Sequence, residues 1–143
     1  MTPEIRIGQT SDRTRIHSIY QSLRYSRAVA LCDTVWIAEA EGEPIGIVRI
    51  APESDVLVLR GMRIAEPWQR RGLGTRMLHI IANWLGATDC YCVPYSHLTA
   101  FYSQIGFAAI TPEAAPPFLS ARLTEYQNQG LDVTLMARLT QPK

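Results

Sequence analysis

The sequence predicts a single α/β domain, residues 1–143, with a mixed, mostly antiparallel sheet of about six to seven strands flanked by helices. The first observation is an apolar run from Val56 to Ile64, which is typical of a strand covered on both faces. The second is an amphipathic helix pattern that follows it after a glycine-bearing turn. A further strand pattern then completes a strand–helix–strand unit, which requires a parallel, right-handed crossover. A chain of 143 residues that is 47% hydrophobic fits one domain with a core.

The first third of the chain predicts one strand, one helix and a hairpin. Glu4 to Gly8 reads as a strand, and Ser11 or Thr10 is expected to cap the helix after it. The segment 24–33 is ambiguous and could hold a second short helix. A hairpin is predicted after it. Its strands run from Thr34 to Glu39 and from Ile45 to Ile50, and Glu41 to Pro44 forms the turn between them.

Val56 to Ile64 is the fourth predicted strand, and Gly61 inside it indicates a bulge or a close backbone approach by a ligand. The helix after it carries its apolar residues on one side and ends near Gly86. Those apolar residues are Met77, Leu78, Ile81, Trp84 and Leu85.

The rest of the chain predicts three short strands and two helices. Cys90 to Val93 is a strand, and the next helix carries Leu98, Phe101, Tyr102 and Ile105 before Gly106 ends it. The remaining elements are a strand from Phe107 to Ile110, a helix from Pro116 to about Gln127, and a last strand with alternating Val133, Leu135, Ala137 and Leu139.

Composition excludes several classes of protein. The net charge of +1 and the lack of a basic stripe argue against nucleic acid as a partner. Three cysteines, with Cys90 and Cys92 too close to pair comfortably, favour a reducing compartment. No signal pattern opens the chain and no apolar run is long enough for a membrane span. We therefore expect a cytoplasmic protein without a membrane partner.

The segment from Gln69 to Thr75 predicts an anion site. It joins a strand to a helix, where free backbone N–H groups and the helix dipole attract negative charge. Gly72 and Gly74 allow a phosphate to approach the backbone, and Arg70 and Arg71 add positive charge. The P-loop pattern is excluded because no Gly-Lys pair exists, and the dinucleotide fingerprint is excluded because Met77 stands where its third glycine belongs.

Two motifs remain: Q-x-x-G-x-G, which is Gln69 to Gly74, and F-Y-x-x-x-G-F, which is Phe101 to Phe107. In their order and separation they resemble the GNAT superfamily of acyl-CoA-dependent N-acetyltransferases, and the predicted strand order is similar along nearly the whole chain. The resemblance implies a GNAT-like fold whose fourth and fifth strands splay apart, with the splay placed at Gly61. It also implies acetyl-CoA as the acyl donor and no metal.

The resemblance assigns roles to individual residues. The backbone of Met62 to Ile64 would pair with the pantetheine amides, and the Ile64 N–H would stabilise the oxyanion. Tyr102 would donate a proton to the leaving thiolate. The residues implied to bind acetyl-CoA are Met62, Arg63, Ile64, Gln69, Arg70, Arg71, Gly72, Leu73, Gly74, Thr75 and Tyr102, with Arg71 and Arg76 as candidate neighbours of the adenosine phosphates.

The resemblance leaves the acceptor side open. The acceptor is expected to be a primary amine of a small molecule or peptide, attacked without a covalent enzyme intermediate. A water chain or one of several side chains could be the general base, and those side chains are Asp55, Glu66, Glu39, Tyr95 and His97. Arg49, Arg60 and Arg63 either reach solvent, pair with a nearby Glu, or bind an acidic group of the substrate.

A second hypothesis for the function is a non-catalytic acyl-CoA-binding regulatory module. Tyr95 stands where many family members carry Asn, and no clear base is present, whereas Tyr102 favours an enzyme. The last strand is a candidate dimer surface, and the oligomeric state stays open.

Overall fold

The computed structural model describes residues 2–23 and 29–140. The chain forms two compact units, Met1–Ile81 and Ala82–Lys143. The boundary falls within one helix, so that helix begins in the first unit and ends in the second. Part of the ambiguous segment 24–33 lies outside the described residues.

The first unit contains four strands that pair in chain order, each antiparallel to the next. Its elements are β1 (Glu4–Ile7), α1 (Arg13–Ser22), β2 (Thr34–Ala40), β3 (Glu43–Glu53), β4 (Val56–Ile64) and the start of α2 (Leu73–Leu85). The prediction for β4 is confirmed at both ends.

Two-residue turns join β2 to β3 and β3 to β4. Glu41 and Gly42 have φ of 53° and 80°, and Ser54 and Asp55 have φ of 47° and 67°. Two successive positive φ values match the twist of paired strands, so the ladder continues up to each turn. The predicted hairpin is confirmed, and β3 is longer than predicted for this reason.

The start of α1 differs from the prediction. A short 3-10 turn, Thr10–Asp12, precedes the helix, so Asp12 and not Ser11 or Thr10 is the capping position. The Asp12 carboxylate makes no capping hydrogen bond to the helix. It accepts hydrogen bonds from the Gln9 N–H and from the Arg6 guanidinium. Buried side chains of α1, β2 and β3 form one core, and these are Ile16, Ile19, Tyr20, Val35, Ile37 and Ile47.

Helix α2 follows the predicted apolar stripe with one exception. Met77, Leu78 and Ile81 are fully buried, whereas Trp84 is 44% exposed. The prediction of a buried Trp84 is wrong because the residue lies at the edge of the stripe in the last helical turn. Gly86 follows the helix with φ of 56°, as a C-terminal glycine should.

The second unit contains three strands and two further helices. Its elements are β5 (Cys90–Cys92), α3 (Thr99–Ser103), β6 (Ala108–Ala109), α4 (Pro117–Asn128) and β7 (Met136–Arg138). Strand β7 lies between β5 and β6 and is antiparallel to both. The side chains of Cys90 and Cys92 are buried and serve as small core residues.

The last strand is shorter than predicted. Only Met136 to Arg138 forms a ladder, because its partners in β5 and β6 are themselves two or three residues long. Met136 is buried together with Leu135 and Ala137, and Leu139 is 49% exposed, so the expected clean alternation is wrong.

The α/β class, the number of strands and the dominance of antiparallel pairing are confirmed within the described residues. The parallel crossover and the splay of the fourth and fifth strands stay predictions. In the described ranges, every helix is too short or too polar to cross a bilayer.

Candidate functional site

A bulge interrupts the ladder between β3 and β4. Ile47 pairs with Arg63 and Arg49 pairs with Arg60, so a single β3 residue faces Gly61 and Met62 together. Gly61 has φ of 64°, a conformation that side-chain-bearing residues rarely adopt. The bulge predicted at Gly61 is confirmed, and it redirects the strand just before Met62.

Beyond the bulge, β4 continues to its end at Ile64. Ile64 and Arg63 pair with Gly46 and Ile47 of β3. The Arg63 guanidinium donates to the carbonyl of Met62, at 2.8 Å. The Gln69 side-chain amide donates to the carbonyl of Ile64, at 3.0 Å, so this glutamine ties the loop to the strand end.

The backbone of the predicted anion loop is held in an unusual conformation. Arg70 has φ of 61° and Gly72 has φ of 83°. A left-handed residue next to a right-handed one in a turn can direct successive N–H groups toward one side, which is how backbone anion sites are built. A left-handed arginine costs on the order of 1 kcal/mol, and such strain is concentrated at functional sites.

Helix α2 opens directly after this loop. The first backbone hydrogen bond at its start runs from the Arg76 N–H to the Gly72 carbonyl, at 3.1 Å. The N–H groups of Leu73, Gly74 and Thr75 precede that bond and have no acceptor within the helix. A Cβ built on Gly72 would meet no atom of the described residues within 4 Å. The loop and helix therefore offer donors and open space to an anion.

Two of the three nearby arginines are already held by the protein. The Arg71 guanidinium lies 4.3 Å from the centre of the Trp68 ring and donates to the Pro67 carbonyl. Arg76 donates to the carbonyl of Pro3. Arg71 is thus fixed beside the loop with its charge exposed, whereas contacts of Arg71 and Arg76 with adenosine phosphates stay predictions.

Tyr102 lies in the second unit, on the short helix α3. It is 5% exposed and meets Phe101 and Phe107 edge-on, with ring centres 5.1 Å and 6.2 Å away. Gly106, with φ of 98°, turns the chain between the helix and Phe107. The F-Y-x-x-x-G-F motif is therefore a packed aromatic unit that fixes the tyrosine ring.

Tyr95 and His97 also belong to the second unit and are exposed. Their rings stack with centres 5.9 Å apart. Ser96 between them donates to the Asp132 carboxylate at 2.8 Å and lies 2.7 Å from the Thr134 hydroxyl. This network fixes the segment, so both rings have defined positions on the surface.

Glu39, another candidate base, serves a different purpose. Arg6 and Arg15 both form ion pairs with its carboxylate. Burial acts to raise its pKa, but hydrogen bonds from the two arginines outweigh burial and lower it. A carboxylate that holds two guanidinium groups is a poor proton acceptor, and Asp55 and Glu66 are exposed turn residues.

Arg60 and Arg49, on neighbouring strands, lie beside different carboxylates. The Arg60 guanidinium lies 3.4 Å from the Glu53 carboxylate, so the alternative in which it pairs with a nearby Glu is confirmed. Arg49 is fully buried and lies 3.1 Å from Asp33. Asp33 was not predicted as a partner of Arg49, and the sequence signal for a buried partner was an arginine inside an apolar strand.

Metal-ligating side chains do not cluster: within residues 2–23 and 29–140, no group of three or more His, Cys, Asp or Glu could hold an ion. Burial, and then the neighbouring Cys90, raise the pKa of the Cys92 thiol well above its ordinary value. This thiol is therefore protonated and inert in its buried site.

Solved structures with this fold include several acetyltransferases. The N-acetylglutamate synthase of Neisseria gonorrhoeae, solved with coenzyme A and N-acetylglutamate, superposes with a TM-score of 0.67 at 18% identity, over 99% of this chain. The chain spans only 36% of that enzyme. The ribosomal-protein-S18-alanine N-acetyltransferase of Escherichia coli gives a TM-score of 0.71 at 16% identity, covering 99% of this chain and 96% of that one.

A third example is Naa50 of Arabidopsis thaliana, solved with the bisubstrate analogue CoA-Ac-MVNAL, with a TM-score of 0.68 at 10% identity and coverage of 96% and 98% of the two chains. These likenesses confirm the GNAT-like fold. The family model described as the acetyltransferase (GNAT) domain matches residues 32–109, more than half of the chain. This protein therefore belongs to the GNAT acetyltransferase family.

Proposed function

We propose that this protein transfers an acetyl group from acetyl-CoA to a primary amine of a small molecule or peptide, by direct attack and without a covalent enzyme intermediate. The observation that carries the proposal is the loop between Gln69 and Thr75. Its left-handed residues, its first helical N–H groups, which have no acceptor within the helix, and the open space beside Gly72 suit the pyrophosphate of coenzyme A.

The donor is expected to continue from the loop along β4. The backbone of Met62 to Ile64 follows the Gly61 bulge and would pair with the pantetheine amides. The Ile64 N–H would donate to the thioester oxygen as negative charge develops on it, which typically contributes a factor of about 10² to 10³ in rate. These contacts rest on the family resemblance, and the bulge supports them.

The chemistry is one displacement. The amine nitrogen attacks the thioester carbonyl carbon, the carbon–nitrogen bond forms and the carbon–sulfur bond breaks. The Tyr102 hydroxyl gives its proton to the thiolate that leaves. The amine loses its own proton to water or to a side chain, and the exposed Tyr95 and His97, whose rings stack, are the candidates in the same unit as Tyr102.

The acceptor belongs to the class of primary amines. The solved relatives include an enzyme named for glutamate, one named for a ribosomal-protein alanine and one bound to a peptide-based analogue. All three names refer to an amine of an amino acid, a protein or a peptide. A single domain in a cytoplasmic setting is part of the proposal, supported by the three free cysteines.

Thermal unfolding with acetyl-CoA tests the donor site. At 100 times Kd the ligand should stabilise the protein by about 2.7 kcal/mol. No shift at millimolar acetyl-CoA would remove both the enzyme and the non-catalytic CoA-binding alternative. Thiol release measured against a panel of amines then separates these two, because a module without turnover binds acetyl-CoA and releases no thiol.

Tyr102→Phe tests the proton donor in an active preparation. We expect kcat to fall at least about 100-fold, at the lower end of the range typical of general-acid catalysis, with the Kd of acetyl-CoA changed less than about 3-fold. Phe101→Leu is the matched control, since it alters the same aromatic unit without removing a hydroxyl. A Tyr102→Phe variant with normal kcat would refute the assigned role.

A further inference from the structure

Arg49 on β3 is a fully buried charge. Its guanidinium lies 3.1 Å from the carboxylate of Asp33, whose side chain is 4% exposed, and its central carbon lies 5.5 Å from the centre of the Tyr20 ring. Burying two ions costs several kcal/mol each, and apolar residues of similar volume often stabilise a core equally well. Stability alone therefore gives little reason for an ion pair here.

The cluster lies directly against the bulge. A Cβ built on Gly61 would lie 2.6 Å from the Tyr20 hydroxyl oxygen and 2.7 Å from Nη1 of Arg49. Both polar groups therefore occupy the side of the bulge where any other residue would place its side chain. The β3 ladder pairs with one edge of β4, and Tyr20 and Arg49 contact it at Gly61, with Asp33 paired to Arg49; we call Tyr20, Asp33 and Arg49 the bulge cluster.

We propose that the bulge cluster is a positioning group for acetyl transfer, which sets the direction of the backbone N–H groups of Met62 to Ile64. The inference rests on the proposed function, since those N–H groups matter only if they meet the thioester. Tyr20, Asp33 and Arg49 act through the β4 backbone and not on the substrate. A misplacement of about 1 Å at reacting groups can cost about 100-fold in rate.

The double substitution Asp33→Leu with Arg49→Met tests this role, because removing both ions avoids leaving one charge buried alone. We expect a folded protein and a kcat about 10- to 100-fold lower, with a smaller rise in the KM for acetyl-CoA because the pyrophosphate loop is unchanged. The control is Arg6→Met, which removes an ion-paired arginine on β1. It should leave kcat per folded molecule unchanged.

Amide NMR signals give a readout that does not depend on turnover. Signals of Met62, Arg63 and Ile64 should shift in the double variant and stay in place in Arg6→Met. Unmoved amide signals, or moved signals with a normal kcat, would overturn the inference. If the double variant does not fold, Arg49→Lys and Tyr20→Phe, which remove the guanidinium fork and the hydroxyl, take its place with the same expected outcomes.

The two proposals fail differently. If the unaltered protein neither binds acetyl-CoA nor releases thiol with any amine, the proposed function fails and takes the inference with it. If the unaltered protein is active and the double variant equals it in kcat, only the inference fails.

Discussion

Gly61 and Gly72 share a backbone conformation but have opposite surroundings. Both lie in the left-handed region, with φ of 64° and 83°. A Cβ at Gly61 would collide with Tyr20 and Arg49, whereas a Cβ at Gly72 would meet nothing within 4 Å among the described residues. The missing side chain at Gly61 makes room for the protein itself, and the one at Gly72 leaves room for something from outside.

Gly61→Ala should cause the largest effect. The left-handed backbone costs about 1 kcal/mol and the collision about 1–3 kcal/mol, so the free energy of unfolding should fall by about 3 kcal/mol in urea titrations. Gly42→Ala is the matched control, because Gly42 has φ of 80° and no described atom within 4 Å of its Cβ position. A Gly61→Ala loss no larger than the control's would mean that the bulge is not crowded.

Tyr20→Phe sharpens the same result. It removes the hydroxyl oxygen that lies 2.6 Å from the Cβ position at Gly61. In a double-mutant cycle the two substitutions should couple, so that Gly61→Ala costs less in the Tyr20→Phe background by about 1 kcal/mol. If the losses in unfolding free energy of the two substitutions simply add, the cost of Gly61→Ala comes from its left-handed backbone and not from contact with Tyr20.

Gly72→Val should change binding more than folding. A branched side chain would fill the space that we assign to the pyrophosphate, so the Kd of acetyl-CoA in calorimetry should rise at least about 100-fold, or about 2.7 kcal/mol. Gly42→Val imposes the same backbone strain in a hairpin turn and should leave Kd unchanged. Equal affinity in the two variants would remove Gly72 from the donor site.

Arg71→Leu tests whether the open space attracts anions. The exposed charge beside the loop is expected to contribute about 3- to 10-fold in acetyl-CoA affinity, less at high salt because exposed charges are screened. Arg13→Leu, which removes an exposed charge on α1, is the control. If Arg71→Leu binds acetyl-CoA as tightly as the unaltered protein at both low and high salt, Arg71 serves only to cover Trp68.

The smallest expected effect is on the stability of the fold at acid pH. Hydrogen bonds from Arg6 and the Gln9 N–H lower the pKa of Asp12 from 3.8 to about 2. A lowered carboxyl pKa stabilises the fold above pH 3.8, and that contribution disappears as the pH falls toward 2. Asp12→Asn should therefore reduce the loss of unfolding free energy between pH 4 and 2, by less than about 1 kcal/mol, as measured by urea titration at each pH. The same loss of stability in Asp12→Asn and in the unaltered protein would show that the Arg6–Asp12 ion pair does not contribute to acid unfolding.

Local sequence signals predicted much of the first unit. The ends of β4 were predictable because the apolar run is bounded by turn residues on both sides. Gly61 and the loop around Gly72 were predictable as well, since glycine signals a special backbone within a few residues. Helix α2 followed from its 3.6-residue spacing, except at Trp84, where the stripe ends.

Contacts between distant segments were not predictable. The length of β7 depends on β5 and β6, which come from separate parts of the chain, so the alternation up to Leu139 was misleading. Asp33 and Tyr20 meet Arg49 only after the strands pair, and no spacing in the sequence records that meeting. The roles of Tyr102 and Ile64 rest on resemblance, and they stay predictions.

The two-residue turns at Glu41–Gly42 and Ser54–Asp55 have a consequence for the order of folding. They make most strand contacts of the first unit local in sequence, and local contacts form with little loss of chain entropy. We expect the hairpins of β2, β3 and β4 to be structured in the folding transition state, with high φ-values in both turns. The bulge would then be shaped early, before the loop that follows it closes around the start of α2.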